Sequence, residues 1–266
     1  MTNEPLTSPM LREIMNFLND LGTPEQRGPA SLLYNEGWLL RLTLAAEARG
    51  IRCLPQPFAP GARWFTEALL YTPFRPRKRG DRLGESVTHA DGVIGHFEIG
   101  RSSRAGLHLT PDPTQFIIVE AKMFSGLSTG TTRAKGYDQA ARNVACLAEA
   151  VRMSKRPPEA FRSLGFWVLA PDSQIKGGTF ACVDRQTIAH KIRDRIEAYE
   201  PEWKQERLEP WLRDSLAPVL ERVDLACVPW EEVLENIRRT DPGYADALQE
   251  FYERCLTFNR PAGKSE

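Results

Sequence analysis

The feature that most constrains the fold is a short, continuous apolar segment, GFWVLAP, at residues 165–171. It is bounded by turn residues, which is typical of a strand buried on both faces of a sheet. A predicted helix at about 133–153 comes before it and is stopped by Pro157 and Pro158. Because a helix followed by a buried strand indicates a crossover connection, we expect this strand to join its sheet in parallel.

Three further strand candidates precede that helix. Residues 63–74 (RWFTEALLYTPF), 90–99 (ADGVIGHFEI) and 115–123 (QFIIVEAKM) are rich in β-branched and aromatic side chains. Gly and Pro residues interrupt the segment at 100–114, between the last two candidates. These two strands are therefore predicted to pair antiparallel, as a hairpin with a long loop.

Helices are predicted before and after the strands. An amphipathic helix at 10–20 is followed by a longer one at 31–49, capped by Ser31 and stopped by Gly50. Helices at 185–199, 207–222, 230–239 and 244–258, with a possible strand at 224–229, are predicted for the C-terminal third. The order α-β-β-β-α-β, followed by helices, predicts an α/β fold with a central mixed sheet flanked by helices.

Length and charge limit the organisation and the partners. The chain has 266 residues, 41% of them hydrophobic, which is enough to bury a sizeable core. We interpret it as one domain over 1–266, with a core at about 31–171 and a mostly helical extension at about 172–266. Lys plus Arg and Asp plus Glu each number 35, so the formal net charge is zero. Any site for a polyanion must therefore be a local basic patch.

Cysteine usage and the N-terminus bear on the compartment. The five cysteines are widely spaced and show neither a C-x-x-C pair nor a zinc-ligand pattern, which favours buried thiols in a reducing cytoplasm. The first residues carry Glu4, Glu13 and Asp20 and lack an apolar secretory core. No apolar run approaches the ~20 residues of a membrane span. We therefore expect a cytoplasmic protein without a membrane partner.

Charged residues end the apolar strand at 115–123. Glu120 and Lys122 are two residues apart, so both project from one face of the sheet. Val119 and Ala121 face the other way. A carboxylate and an ammonium group thus share one site. The alternative is a strand end with a weak ion pair in solvent, which is the more frequent origin of such a triplet taken alone.

Asp91 begins the strand at 90–99 and would lie across from Glu120 if the hairpin pairs as predicted. Two converging carboxylates repel each other unless a cation lies between them. Hard oxygen ligands without a nearby cysteine pair favour Mg²⁺, with Mn²⁺ as a substitute, over zinc. The alternative is that Asp91 and Gly92 are simply a turn dipeptide.

Glu36 is the least surface-like acid of the N-terminal half. Its neighbours three and four residues away in the predicted helix are Leu32, Leu33, Leu39 and Leu40. A carboxylate on an apolar helix face is rare unless it is paired or bound to a metal. A buried hydrogen bond or ion pair is the alternative to a metal ligand.

A polar stripe on the helix at 133–153 suggests contacts to phosphate. Its members are Lys135, Gln139, Arg142 and Asn143. Gln139 lies close enough to the preceding strand end to reach a site built on Glu120. Arg133 and the Gly/Ser/Thr segment at 125–132 extend this surface. A solvated helix face is the alternative.

A basic loop at 75–85 precedes Asp91 and could follow a phosphate backbone. Its cationic residues are Arg75, Arg77, Lys78, Arg79 and Arg82. A solvated loop is an equally frequent origin of such a run. Among the predicted C-terminal helices, Trp203, Trp211 and Trp230 are expected to be core anchors, with base stacking as the alternative.

The order of these residues resembles the PD-(D/E)XK nuclease superfamily. Its pattern is matched over about residues 31–171 by Glu36 on a first helix, then Asp91, then Glu120-Ala121-Lys122 after a hairpin, and then Gln139 on the following helix. The resemblance implies a restriction-endonuclease-like α-β-β-β-α-β core with a central mixed sheet. It also implies a Mg²⁺-dependent phosphodiesterase that cleaves nucleic acid, with DNA as the expected substrate.

The resemblance further implies a role for each residue. The metal ligands would be Asp91, Glu120, Glu36 and the backbone carbonyl of Ala121. Lys122 would orient or activate the attacking water, and Gln139 corresponds to the helical glutamine of the RecB-like branch. Two positions depart from the pattern: Ala90 replaces a proline before the first acid, and Asn143 replaces a tyrosine of the RecB-like group.

Other function classes remain open. One is a nuclease-like scaffold that binds nucleic acid or a protein partner without cleaving it, and another is a metal-dependent hydrolase of a small phosphorylated substrate. Endonuclease and exonuclease action both fit the pattern. Members of the superfamily that cut both strands often dimerise, so a homodimer or a larger defence or repair complex is a further expectation.

Overall fold

The structure is a computed structural model that describes residues 9–85, 87–100, 106–130, 134 and 136–260, with side chains from residue 13 onward. A mixed sheet of five strands lies at its centre, with helices packed on both faces. The predicted α/β fold with a central mixed sheet is confirmed. None of the helices within these residues is long and apolar enough to cross a membrane.

The strands form one large sheet and one small ribbon. They are β1 (Arg63–Leu70), β2 (Thr88–Gly95), β3 (Phe97–Ile99), β4 (Leu107–Leu109), β5 (Gln115–Ala121), β6 (Ser163–Ala170) and β7 (Asp224–Pro229). The large sheet has the order β1-β2-β5-β6-β7, antiparallel from β1 to β5 and parallel from β5 to β7. The predicted antiparallel hairpin and the parallel addition of β6 are both confirmed.

The strand predicted at 90–99 divides into β2 and β3. Gly95 has a φ angle of 142°, and a Cβ atom at this position would overlap the backbone of Gln115. The chain leaves the large sheet at this glycine. It then pairs as β3 with β4, which lies in the segment predicted to be a loop. A single continuous strand over 90–99 is therefore wrong.

The described helices surround this sheet. They are α1 (Pro9–Asn19), α2 (Glu36–Ala48), α3 (Gln139–Ser154), α4 (Asp172–Lys176), α5 (Arg185–Glu197), α6 (Pro201–Trp203), α7 (Glu209–Trp211), α8 (Ala217–Arg222), α9 (Trp230–Arg238) and α10 (Pro242–Asn259). Short 3₁₀ turns lie at Ala30–Leu32 and Pro158–Ala160, and π-helical turns lie at Lys204–Leu208 and Leu212–Leu216.

Each face of the sheet has its own core. Ile118 and Val168 pack with α3 and the segment from α5 to α8 on one face. Ile117 and Trp167 pack with α2, α9 and α10 on the other. Successive residues of β5 thus point to opposite faces, so position 120 belongs to the α3 face.

α2 begins later than predicted, because Asn35 rather than Ser31 caps it. The Asn35 side chain accepts a hydrogen bond from the Trp38 N–H at 3.0 Å. Gly50 ends the helix as predicted, with a φ angle of 89°. Glu36 is therefore a partly exposed residue of the first turn. Its negative charge there interacts favourably with the positive N-terminal end of the helix dipole. The expected buried position of Glu36 is wrong.

α3 also begins later than predicted. Asp138 caps it, since its carboxylate accepts a hydrogen bond from the Ala141 N–H at 3.1 Å. Gln139 is thus the first helical residue, although the helix was predicted to begin at about residue 133. The helix ends at Ser154, within one residue of the predicted end at about 153.

Candidate active site

Glu120 and Lys122 meet at the C-terminal end of β5. The Glu120 side chain is fully buried, and Lys122 Nζ donates a hydrogen bond to Glu120 Oε1 at 2.7 Å. The prediction that both residues share one face is confirmed. Only 12% of the Lys122 side chain is exposed, so this contact is not the solvated surface pair that a strand end usually gives.

Asp91 lies across from Glu120. The ladder between β2 and β5 ends at the pair Gly92–Val119, so Asp91 and Glu120 are the next positions in register. Asp91 Oδ2 accepts a hydrogen bond from the Ala121 N–H at 2.9 Å, which continues the contact between the strands where the ladder stops. The expected convergence of the two acids is confirmed, and the alternative of a simple turn is wrong.

β1 and β2 are distorted at the position of Asp91. Glu67 lies across from it in the register of β1 and has a φ angle of 56°, which residues other than glycine rarely adopt. On β2, Ala90 and Val93 both pack in the core on the α3 face. Because these two are three residues apart, a regular strand would place them on opposite faces. The distortion leaves Asp91 outside both cores, beside the end of β5.

Two amides from α3 hold Glu120. Gln139 Nε2 donates to Glu120 Oε1, and Asn143 Nδ2 donates to Glu120 Oε2 at 3.3 Å. The expected reach of Gln139 is confirmed. Asn143 is fully buried, so its placement on a solvated stripe is wrong. The spacing of Gln139 and Asn143 could have indicated this position. Residues four apart share a helix face, so a helix that points Gln139 at Glu120 also points Asn143 at it.

The charge of Glu120 is only partly compensated. Burial, followed by the charge of Asp91, raises the pKa of Glu120 from 4.5 to about 8, against the lowering effect of Lys122. Desolvation and a nearby like charge both disfavour the ionised form of a carboxylate. Near neutral pH the pair of acids therefore retains a proton, which a bound cation would displace.

The Gly/Ser/Thr segment lies over the first turn of α3. Gln139 Oε1 accepts a hydrogen bond from the Ser128 N–H at 3.1 Å, and the Arg142 guanidinium donates to Ser128 Oγ at 2.8 Å. Ser128 therefore links Arg142 to Gln139, with one hydrogen bond to each. Arg133 and Lys135, which are expected to contact nucleic acid, lie outside the described residues.

The backbone of Lys122 is fixed from two sides. Its N–H donates to the Leu169 carbonyl at 2.8 Å, and its carbonyl accepts from Trp230 Nε1 at 2.9 Å. Trp230 is 1% exposed and begins α9. The C-terminal third therefore positions the site directly. Trp230 and Trp211 are buried as predicted, whereas Trp203 is partly exposed.

Glu36 is not part of this cluster. Within the described residues, no hydrogen bond or ion pair joins it to Asp91 or Glu120. Burial and then the charge of Glu36 raise the pKa of Cys255 on α10 to about 12. No group of three or more His, Cys, Asp or Glu side chains in the described residues could hold a metal ion. The expected ligands that remain together are Asp91, Glu120 and the Ala121 carbonyl.

The basic loop lies at the same edge of the sheet. It follows β1 and precedes β2, and antiparallel pairing places the end of β1 and the start of β2 beside the C-terminal end of β5. Lys78 and Arg79 are exposed. Arg77, by contrast, is held by Asp81 at 2.8 Å. Arg75 and Arg82 are exposed as well, so four of the five cations of this loop are available to a polyanion.

No protein-family model matches the chain, and neither a curated protein nor a solved structure provides a match. The resemblance to the PD-(D/E)XK superfamily therefore stays a prediction from the order of residues in the sequence.

Proposed function

We propose that the protein is a metal-dependent phosphodiesterase that hydrolyses nucleic acid, with DNA as its substrate. The observation that carries this proposal is the convergence of Asp91, Glu120 and Lys122 at the end of β5. Burying such a cluster contributes little to folding stability, because desolvation opposes the attraction between the charges. Perturbed acids of this kind are concentrated at functional sites.

The cluster fits Mg²⁺ or Mn²⁺. Mg²⁺ in proteins is commonly held by one or two carboxylates while it keeps several waters. Asp91, Glu120 and the Ala121 carbonyl would supply the protein ligands, all of them oxygen atoms. A cation bound there would polarise the phosphoryl oxygen and lower the pKa of a bound water. The raised pKa of Glu120 supports this assignment, because the single ammonium group of Lys122 does not balance the buried charges of both acids.

The side chains around the two acids would orient the reactants. Lys122, whose backbone is fixed at both its N–H and its carbonyl, presents its ammonium to the attacking water and to the growing negative charge on phosphate. Gln139 and Asn143 hold the two oxygens of Glu120 and so limit its rotation. The positive end of α3 lies at the same place and favours a phosphate nearby.

A restriction-endonuclease-like fold accounts for this placement. The elements α2, β1, β2, β5, α3 and β6 follow the order that the resemblance implies. The two acids lie on neighbouring antiparallel strands, and β6 continues the sheet in parallel. In this proposal the chain forms a single nuclease-like domain. Its C-terminal third contributes β7 to the sheet as an additional strand.

One contact pattern favours a second function, a nuclease-like scaffold that binds nucleic acid or a protein partner without cleaving it. Both oxygens of Glu120 already accept hydrogen bonds, from Lys122, Gln139 and Asn143. A carboxylate engaged in this way must exchange some of these donors before it binds a cation. A protein in which that exchange fails would bind its substrate and leave it intact.

Cleavage of defined substrates separates the two functions. Linear and circular DNA, single- and double-stranded, together with RNA, would be incubated with the protein and Mg²⁺, Mn²⁺ or EDTA. We expect metal-dependent cutting by wild type and by Asp246→Asn, which changes a 75% exposed acid on α10. Asp91→Asn should not cut. Attack on circles would identify an endonuclease. Binding without cutting in every metal would contradict the nuclease and support the scaffold.

A further inference from the structure

A concave site lies away from the candidate active site. It is a cleft of about 800 Å³ between the residues after β1, the C-terminal half of α3 and the helical segment 203–215. Its cationic and aromatic lining consists of Arg75, Arg77, Arg152, Arg207, Trp203 and Trp211. The volume is in the range of ligand pockets. Aromatic rings beside guanidinium groups are typical of contacts to single-stranded nucleic acid.

Trp203 is the accessible ring of this cleft. Its centroid lies 5.4 Å from Cζ of Arg207 and 5.9 Å from Cζ of Arg77. Arg207 is exposed, so a ligand can reach the stack that it forms with the indole. Trp211, in contrast, is 7% exposed and donates a hydrogen bond to Glu149 at 3.1 Å, which makes it part of the core. A flat ligand would therefore stack at Trp203.

The charges of the cleft divide into paired and unpaired groups. The paired groups are Arg77 with Asp81, Arg152 with Glu149, and Asp214 with Arg213. Within the described residues, Arg75 and Arg207 form no ion pair with a carboxylate. Glu206 is the lining acid that has no ion pair in the same part of the chain. Two unpaired cations thus face one unpaired anion, which favours an anionic ligand.

We propose that this cleft binds a nucleotide of a single nucleic-acid strand, with its base stacked at Trp203 and its flanking phosphates at Arg75 and Arg207. The strand has to be single because base faces are covered inside a duplex and become available only when a base is unstacked. The proposal rests on the proposed function in that it names the form of the substrate. The cleft itself requires no metal.

α3 connects the cleft to the candidate active site. Asn143 contacts Glu120, and Arg152 lines the cleft nine residues further along (152 minus 143). At a rise of 1.5 Å per residue, the two positions are roughly 14 Å apart along the helix. Each strand of stacked duplex DNA advances about 3.4 Å per nucleotide, and an unstacked single strand is more extended, so this length corresponds to at most about four nucleotides. One strand could therefore occupy both places, so substrates with an unpaired segment would be selected.

Binding without cleavage tests the cleft. Fluorescence anisotropy of a labelled oligothymidylate, measured in EDTA at several salt concentrations, would compare wild type with the Arg75→Gln/Arg207→Gln double variant. We expect about tenfold weaker binding, and a salt slope reduced by about 1.4, because each phosphate contact to a single strand contributes about 0.7. Trp203→Leu should weaken binding and leave the salt slope unchanged, because stacking releases no counterions.

Two further variants control for charge. Arg239→Gln removes a 70% exposed cation at the end of α9 and should change affinity by less than about twofold, because screening limits the effect of a distant charge. Glu206→Gln removes the unpaired acid of the cleft and should strengthen binding. Unchanged affinity in the double variant, or an equal loss in Arg239→Gln, would overturn the assignment.

The form of the ligand is tested in parallel. A duplex that binds as tightly as the single strand, with the same dependence on Trp203, would contradict the proposal. If thymidine monophosphate competed as well as the oligonucleotide, the ligand of the cleft would be a free nucleotide, which would contradict a strand as the ligand. If wild type bound the strand through Arg75 and Arg207 but never cut it, the proposed nuclease activity would be wrong and the assignment of the cleft would stand. If the double variant bound normally and cut in a metal-dependent reaction, the assignment of the cleft would be wrong and the nuclease activity would stand.

Discussion

Replacement of Glu120 by glutamine should change how folding stability depends on pH. The pKa of Glu120 is about 8 in the folded protein, against an ordinary value of 4.5. Between these two values the folded state holds a proton that the unfolded state has released. Stability must therefore fall as pH rises through this window, in the absence of a bound cation. Glutamine does not titrate, so Glu120→Gln should lose this decline.

The magnitude follows from the size of the pKa shift. One pKa unit corresponds to about 1.4 kcal/mol, so Glu120 should lower the free energy of unfolding by about 3 kcal/mol between pH 5 and pH 8. Glutamine also fits the site. The buried Asn143 Oδ1 has no hydrogen-bond partner in the described residues, and rotation of that amide by half a turn would let it accept from the new NH₂ group.

Urea unfolding at a series of pH values, in EDTA, measures this effect. The difference in unfolding free energy between Glu120→Gln and wild type should grow by about 3 kcal/mol from pH 5 to pH 8. Glu250→Gln, which changes a 68% exposed carboxylate on α10, should follow the wild-type profile. Parallel profiles for Glu120→Gln and wild type would refute the reasoning, because they would show that burial does not perturb this acid.

Three further predictions concern stability and are checked by the same unfolding measurement. Glu67→Gly should be neutral or stabilising by up to about 1 kcal/mol, whereas Glu67→Val should destabilise, because a φ angle of 56° suits glycine and strains a β-branched residue; equal effects would contradict the strain. Trp230→Phe should cost about 1 kcal/mol or more, since it leaves the buried Lys122 carbonyl without its donor. Asp138→Ala should cost about 1 kcal/mol through the lost cap of α3, and Asp138→Asn, which keeps the capping oxygen, should cost less.

The sequence predicted the acidic cluster because local periodicities determine its geometry. Glu120 and Lys122 share a face by the period of two in a strand, and antiparallel pairing of the hairpin is enough to bring Asp91 beside them. Gln139 follows from the position of the next helix. The observed contacts confirm each of these placements.

The start of α2 depended on tertiary packing that local rules do not contain. Ser31 and Asn35 are both good helix caps. Packing against α10 favours Asn35, because the preceding Tyr34 contacts Phe251 and Phe258 at ring-centroid distances of 5.2 and 5.5 Å. This contact fixes the chain just before the helix. Glu36 consequently lies in the first turn, although its spacing from four leucines suggested burial.

Two other features depart from the local preferences of their residue types. The left-handed backbone of Glu67 has no signature in its residue type, because glutamate rarely adopts it. Asn143 has the polarity of a surface residue, and only the buried carboxylate beside it explains why it faces inward. Both features surround the two acids, where local preferences and the packed structure disagree.

The most direct test of the proposed function separates substrate binding from turnover at Lys122. Lys122→Met keeps the aliphatic stem and removes the ammonium, so DNA affinity should change only a few-fold while the single-turnover rate with Mg²⁺ falls by at least about 100-fold. That result would support a phosphodiesterase in which Lys122 acts on the reaction. Cleavage by Lys122→Met at the wild-type rate, or no metal-dependent cleavage by wild type, would contradict it.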